Sequence, residues 1–224
     1  MLRTFLAPAL PLVLAACAGP TRGAGESPPA GAAELAPSEL AHVIVAWDGQ
    51  AKAVELDGEP FTSFHARTDG APFLHPLLAP GGLPVTRGFP MDPQVGESAD
   101  HPHHRSLWFA HGDVSGHDFW HGKDTRIHLD TLGGAGDRIE ATFTWLAGGE
   151  PLVREDRTMV FGGTATERWI DLTIRLAPAV PGSAPLVFGD TKEGTFALRL
   201  SPGLRVDGET AAGGLLDSEG RADG

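Results

Sequence analysis

The run Asp137-Arg138-Ile139-Glu140-Ala141-Thr142-Phe143-Thr144-Trp145-Leu146-Ala147 alternates apolar and polar side chains. Ile139, Ala141, Phe143 and Trp145 fall on one face of an extended chain, and Arg138, Glu140, Thr142 and Thr144 on the other. That period is the mark of a strand with one face buried. Glu167 to Leu176 repeats it, with Ile170, Leu172, Ile174 and Leu176 as the apolar set. Leu152 to Phe161 lies between them as a more polar strand, and Gly148-Gly149 and Gly162-Gly163 supply the turns. Strands this long with one apolar face require a second layer to cover it. No segment sustains a helical period, so the expected fold class is all-β, an antiparallel β-sandwich with little helix.

Upstream, His42 to Trp47 is a β-branched run closed by Asp48-Gly49, Ala53 to Leu56 leads into Asp57-Gly58, and Phe61 to Phe64 follows. Short strands with Asp-Gly corners read as a meander. Phe73 to Ala79 reads as a further strand that Pro76 confines to a sheet edge. Pro80 to Glu97, rich in Gly and Pro, is a long loop. Downstream, Thr195 to Leu200 is a strand with Phe196, Leu198 and Leu200 on one side. From Ser201 the chain is Gly-rich and acidic and reaches Gly224 with no closing strand, so the β domain, 41–224, is expected to be incomplete.

The amino terminus has the pattern of an export signal: Arg3, an apolar run from Phe5 to Leu14, then small residues. Leu14-Ala15-Ala16-Cys17 resembles the lipobox of bacterial lipoproteins, which places a signal peptide at 1–16 and lipidation at Cys17. Cys17 is the sole cysteine, which excludes a disulfide and, once acylated, a thiolate nucleophile. Residues 17–40 form a flexible Ala/Gly/Pro/Ser-rich tether. The expected location is outside the cytoplasm, held to a bacterial membrane through lipid alone, with Ala18 after the cysteine favouring an outer membrane. Seventeen Lys and Arg against 29 Asp and Glu give a net charge of -12 with no basic patch, which argues against a nucleic-acid partner.

Chemistry concentrates in Asp100 to His121, which holds six of the ten histidines. Imidazole titrates nearest neutrality and is the commonest metal ligand. By alternation His101 and His103 share a face, and Leu107, Phe109, His111 and Asp113 share another if Ser106 to Asp113 is extended. Three uses stay open: a divalent-metal site with His101, His103 and His111 as candidate ligands, acid–base or sugar-binding chemistry, and polar packing of the loop. Lys192 and Glu193, after Gly189-Asp190-Thr191, can hold a hydroxyl-rich ligand or sit on a solvated turn. Trp108 and Trp120 can stack on a sugar ring or serve in the core.

The cluster from His101 to Val114 with Asp118-Phe119-Trp120, together with Gly189-Asp190-Thr191-Lys192-Glu193-Gly194-Thr195-Phe196-Ala197, resembles the two signature blocks of the bacterial PmoA-like family. The resemblance spans roughly Ala41 to Gly224 and implies a neighbourhood of carbohydrate metabolism. It implies no established mechanism. It also implies further strands and another histidine-bearing block beyond Gly224, so the chain reads as truncated.

The expectation drawn from residues and resemblance together is a surface-anchored β-sandwich, in its supersandwich variant like an aldose epimerase, acting on carbohydrate by acid–base chemistry. His103, His111 and Asp113 are the expected catalytic groups. Arg105, Trp108, Trp120, Lys192 and Glu193 are the expected substrate-binding groups. The alternatives are a lipid-anchored carbohydrate-binding protein without turnover and, as the family label implies, a metal-dependent oxygenase.

Overall fold

The computed structural model describes residues 39–208, 211–217 and 219–222. The expected signal peptide, the expected lipidation at Cys17 and nearly all of the expected tether lie outside the described residues. The described residues belong to one compact unit.

That unit is all-β, two antiparallel sheets face to face. The first sheet contains β1 (Val43–Trp47), β2 (Lys52–Leu56), β3 (Glu59–His65), β4 (Phe73–Leu74), β5 (Leu107–Phe109) and β10 (Phe196–Leu198), in the order β1-β2-β3-β4-β5-β10. The second contains β6 (Thr125–Gly133), β7 (Arg138–Ala147), β8 (Glu150–Gly163) and β9 (Arg168–Pro178), a simple meander in chain order.

Alternation decides which face is buried. Ile139, Ala141, Phe143 and Trp145 of β7 are all buried, while Arg138 and Glu140 are exposed. The two sheets meet edge to face: Phe64 against Phe143 at 6.4 Å between centroids, Phe61 against Phe161 of β8 at 6.2 Å, Phe109 against Trp145 at 6.0 Å. The polar character of β8 has a specific cause. Glu155 and Arg157 occupy inward positions between Val153, Met159 and Phe161 and are buried with them. Glu155 accepts hydrogen bonds from Trp145 Nε1 at 2.7 Å and Arg157 Nε at 2.6 Å. The Arg157 guanidinium lies within 5.9 Å of the ring centroids of Phe64, Phe109 and Phe143.

The turns divide. Gly148 and Gly149 both take positive φ (57° and 89°), the two-residue hairpin that twisted strands favour. Gly162 and Gly163 are not a turn: they end β8, and a Cβ on Gly162 would stand 2.4 Å from the Trp169 indole. Thr164–Glu167 makes the reversal instead, closed by Thr164 N donating to Glu167 O.

Three strand readings are corrected. Phe73 to Ala79 yields only the two-residue β4, stopped before Pro76, and it lies inside the sheet between β3 and β5, away from the edge. Ser106 to Asp113 yields only β5, because Ser106 enters at φ 58° and the chain turns off after Phe109. Thr125–Gly133, assigned to no strand from sequence, is β6; its bulge between Leu129 and Thr131 breaks the period that would have announced it.

Candidate functional site

The loop from Asp100 to Ser106 crosses one end of the first sheet and is nailed down from below. Arg87, 2% exposed, donates to the Asp100 carboxylate and to the carbonyls of Ser98 and Asp100. Arg199, just past β10, donates to both Asp100 oxygens at 3.0 and 2.9 Å. Ser106 Oγ donates to Thr86 Oγ1 at 2.7 Å. His101 and Ser106 both take left-handed backbone, at φ 47° and 58°. Such non-glycine residues are held only where the surroundings fix them, as two guanidinium groups on one carboxylate do here.

The fixed loop gathers four imidazoles. His101 and His104 stack at 4.8 Å, His103 meets His104 edge-on at 4.4 Å, and His103 lies 5.8 Å from His101 and 5.0 Å from His121. Beneath them His104 stacks on Trp108 at 5.1 Å and meets Trp120 at 5.9 Å.

Carboxylates orient the outer two rings. Nδ1 of His101 lies 2.7 Å from Asp100 Oδ2, and Nδ1 of His121 lies 2.8 Å from Asp118 Oδ2. An ionised carboxylate only accepts, so each pair fixes the ring proton on Nδ1 and leaves Nε2 as the basic nitrogen. Asp118 is itself positioned by a tight turn, its Oδ1 accepting from Trp120 N at 2.8 Å and His121 N at 3.0 Å.

Burial, then its imidazole neighbours His121 and His101, push His103 below the ordinary histidine value. Glu193 and Asp118 pull it the other way without prevailing. Burial, with His103, His101, Arg199 and Arg87 adding like charge, pushes His104 down to about 4. Both rings are therefore neutral at physiological pH. Burial opposes ionisation of Asp118, but the His121 backbone and ring and the Trp120 N–H together hold it below the usual carboxylate range. The Ser98 hydroxyl, aided by His101, Arg87 and Arg199, holds Asp100 well below that range.

Of the expected site residues, His101, His103, Trp108 and Trp120 come together, and Glu193 joins them through its charge on His103 and His121. Lys192 pairs with Glu193 at 3.0 Å and is otherwise in solvent. Trp108 and Trp120 are 4% and 7% exposed, so they form the floor under the imidazoles and offer no open stacking surface.

His111 and Asp113 stand elsewhere. His111 is buried with Nε2 donating to Gly189 O at 2.9 Å and Nδ1 accepting from Thr195 Oγ1 at 3.0 Å. Asp113 Oδ1 caps Gly116 N, and its carbonyl accepts from Gly189 N. Both tie the loop before His117 to the segment before β10. Arg105 turns to the opposite side, paired with Asp69 at 2.7 Å and lying over the Phe73 ring. The trio His101, His103 and His111 thus does not converge. Among the described residues, no three His, Cys, Asp or Glu side chains are arranged to hold a metal ion. The residues missed from sequence are Arg87, Asp100, Asp118, His104, His121 and Arg199. For Asp118 and His121 a signal existed, the Asp-x-x-His spacing of a side-chain-capped turn.

The model of one protein family, a family of unknown function (DUF6807), matches residues 51–223. The chain belongs to that family. The DUF6807 match takes in every strand from β2 to β10 and the whole imidazole cluster. It overturns the PmoA-like resemblance, which rested on two short blocks. The DUF6807 match extends over both sheets. No curated protein and no solved structure matches the chain. No helix among the described residues is long and apolar enough to cross a membrane.

Another depressed histidine, outside the cluster, sets an acid limit on this fold. Burial, then the charge of His65, pushes His75 down to about 4 against the pull of Asp92 and Glu97. The unfolded chain accepts a proton at about 6.5, whereas His75 and His104 do so in the fold only at about 4. The unfolded state therefore binds more protons across that interval, and stability falls as pH drops through it. His75, 8% exposed, is worth on the order of 2–3 kcal/mol at most, and the less buried His104 adds less. Urea unfolding at pH 7 and at pH 4.5 is expected to show this loss. Equal stability at both would contradict the assignment.

Proposed function

We propose that the protein acts outside the cytoplasm on a hydroxyl-rich small molecule, a carbohydrate, by proton transfer at the cluster of His101, His103, His104 and His121. The observation that carries this reading is the pair of carboxylate–imidazole couples, Asp100–His101 and Asp118–His121, standing on either side of the neutral His103.

A base must be neutral and an acid protonated, and both must reach one substrate. Neighbouring imidazoles at ring separations of 5.0 and 5.8 Å supply both from one patch. One Nε2 takes a proton from a carbon beside a carbonyl, and the electron pair moves into the carbonyl to give an enolate. A second imidazole, protonated, returns a proton to that carbon or to a departing hydroxyl. The Asp partner stabilises whichever outer imidazole carries the extra charge, as carboxylates do in hydrolytic triads. Lys192, exposed and paired with Glu193 at 3.0 Å, would meet a polar substituent of the substrate. The Cys17 lipid anchor expected from sequence would hold this chemistry at a membrane surface. A purely binding role draws less support, since the two tryptophans that would stack on a sugar are covered.

The test is solvent-deuterium incorporation and product formation across a panel of aldoses, keto sugars and uronic acids, followed by NMR. Wild-type protein is expected to exchange or convert at least one class, and His103→Ala to do so at least about 100-fold more slowly. No exchange with any class, or equal rates in both proteins, would remove the reading.

A further inference from the structure

The second sheet ends on β9, and that edge lacks the features that keep sheet edges from pairing. β6, at the other end, is broken by its bulge at Leu129/Thr131. β9 pairs with β8 without a register shift from Arg168 to Pro178, eleven residues, and its one proline is the last of them. Proteins normally blunt so long and regular an edge with bulges, inward charges or cover.

The direction of the free backbone groups follows from the ladder. Ala179 N donates to Leu152 O, and Thr164 N to Glu167 O. Antiparallel ladders alternate, so the odd-numbered residues of β9 turn their amides toward β8. Ile170, Leu172, Ile174 and Leu176 turn theirs to the open side, where no backbone partner is formed among the described residues. The same four side chains form the inward apolar face and are only partly buried.

The charges on β9 define the partner. On its outward face Asp171 and Arg175 lie equally far on either side of Thr173. Asp156, across the ladder from Arg175, is held by Arg154 at 2.9 Å. Neither Asp171 nor Arg175 has an ion-pair partner among the described residues. We propose that β9 pairs antiparallel with β9 of a second copy about a two-fold axis at Thr173, joining the two four-stranded sheets into one.

A two-fold axis there sets Asp171 opposite Arg175 of the partner subunit, twice over. It sets Leu172 opposite the partner's Ile174, and Ile170 opposite the partner's Leu176. Even-numbered residues face even-numbered ones, so each outward amide meets an outward carbonyl. The charged pair falls on the non-hydrogen-bonded positions, where side chains approach most closely. An axis perpendicular to the sheet keeps both apolar faces on the same side, as an isologous interface requires.

Sedimentation of the purified full chain at micromolar concentrations tests the pairing. Wild type is expected to sediment as a dimer. Asp171→Arg alone, or Arg175→Asp alone, sets like charges opposite each other at both symmetry-related positions and is expected to weaken dimerisation at least about tenfold. The double variant D171R/R175D restores opposite charges and is expected to restore the dimer. Far-ultraviolet circular dichroism of each variant separates loss of pairing from loss of fold. Wild type that stays monomeric, as when another segment or protein covers β9, overturns the proposal. Single reversals that leave the dimer intact, or a double reversal that fails to rescue it in a folded chain, overturn it too.

Discussion

Replacing Glu155 by alanine is expected to lower the free energy of unfolding by about 3–5 kcal/mol, the usual cost of stranding one partner of a buried ion pair. Glu155 is fully buried, and Arg157 is 4% exposed. The guanidinium is taken out of water among Phe64, Phe109 and Phe143, whose ring faces attract it but cannot replace a carboxylate. Deleting Glu155 also leaves Trp145 Nε1 without its acceptor at 2.7 Å. Replacing both charges with apolar groups of similar volume, Glu155→Leu with Arg157→Met, is expected to recover most of the loss, because desolvation of the pair then disappears as well. Urea unfolding of the two variants measures the difference. A single variant within about 0.5 kcal/mol of wild type would mean that the β8 charges are solvated and the core is not built as described.

Asp118→Asn is expected to cost about 100- to 1,000-fold in proton transfer while leaving the fold intact. The amide keeps an oxygen for the turn, so the caps on Trp120 and His121 N–H survive. It can also present N–H to the ring, which favours the opposite His121 tautomer and takes away the basic Nε2. In the Ser-His-Asp template this exchange costs about 10,000-fold. The couple here is half exposed, which makes a smaller effect the appropriate expectation. A loss confined to KM would point to substrate contact. Asp118 acts through His121 and is a positioning residue, so its variant must also change the imidazole tautomer seen by nitrogen NMR.

Much of the fold was legible because a half-buried strand writes its face into the sequence. Residues 138–145 and 170–176 alternate without interruption, and their inward faces are those the alternation names. Legibility failed where another force outweighed the pattern. β8 carries Glu155 and Arg157 inward because they neutralise each other there, which nothing local in the sequence announces. Gly162 looks like a turn residue and is a strand residue, because Trp169 needs the space that a side chain would take.

The site divides in the same way. The density of histidine between Asp100 and His121 marked the region, and strand alternation inside it misled. Alternation puts His111 and Asp113 on one face with Leu107 and Phe109, whereas the chain leaves the sheet after Phe109 and turns both into ties for the segment near Gly189. Arg87 and Arg199, which fix the loop through Asp100, come from distant segments. Only folding shows that they meet.

The central claim is that four imidazoles form one organised group, with proton positions set by Asp100 and Asp118. Nitrogen-edited NMR of the histidine rings between pH 4 and 8 tests it without knowledge of the substrate. The account predicts Nδ1-protonated tautomers of the neutral rings at His101 and His121, with His103 charging below the ordinary histidine value and His104 only near 4. Nε2-protonated rings at His101 and His121, with His103 and His104 charging near 6.5 as free imidazoles do, would contradict it.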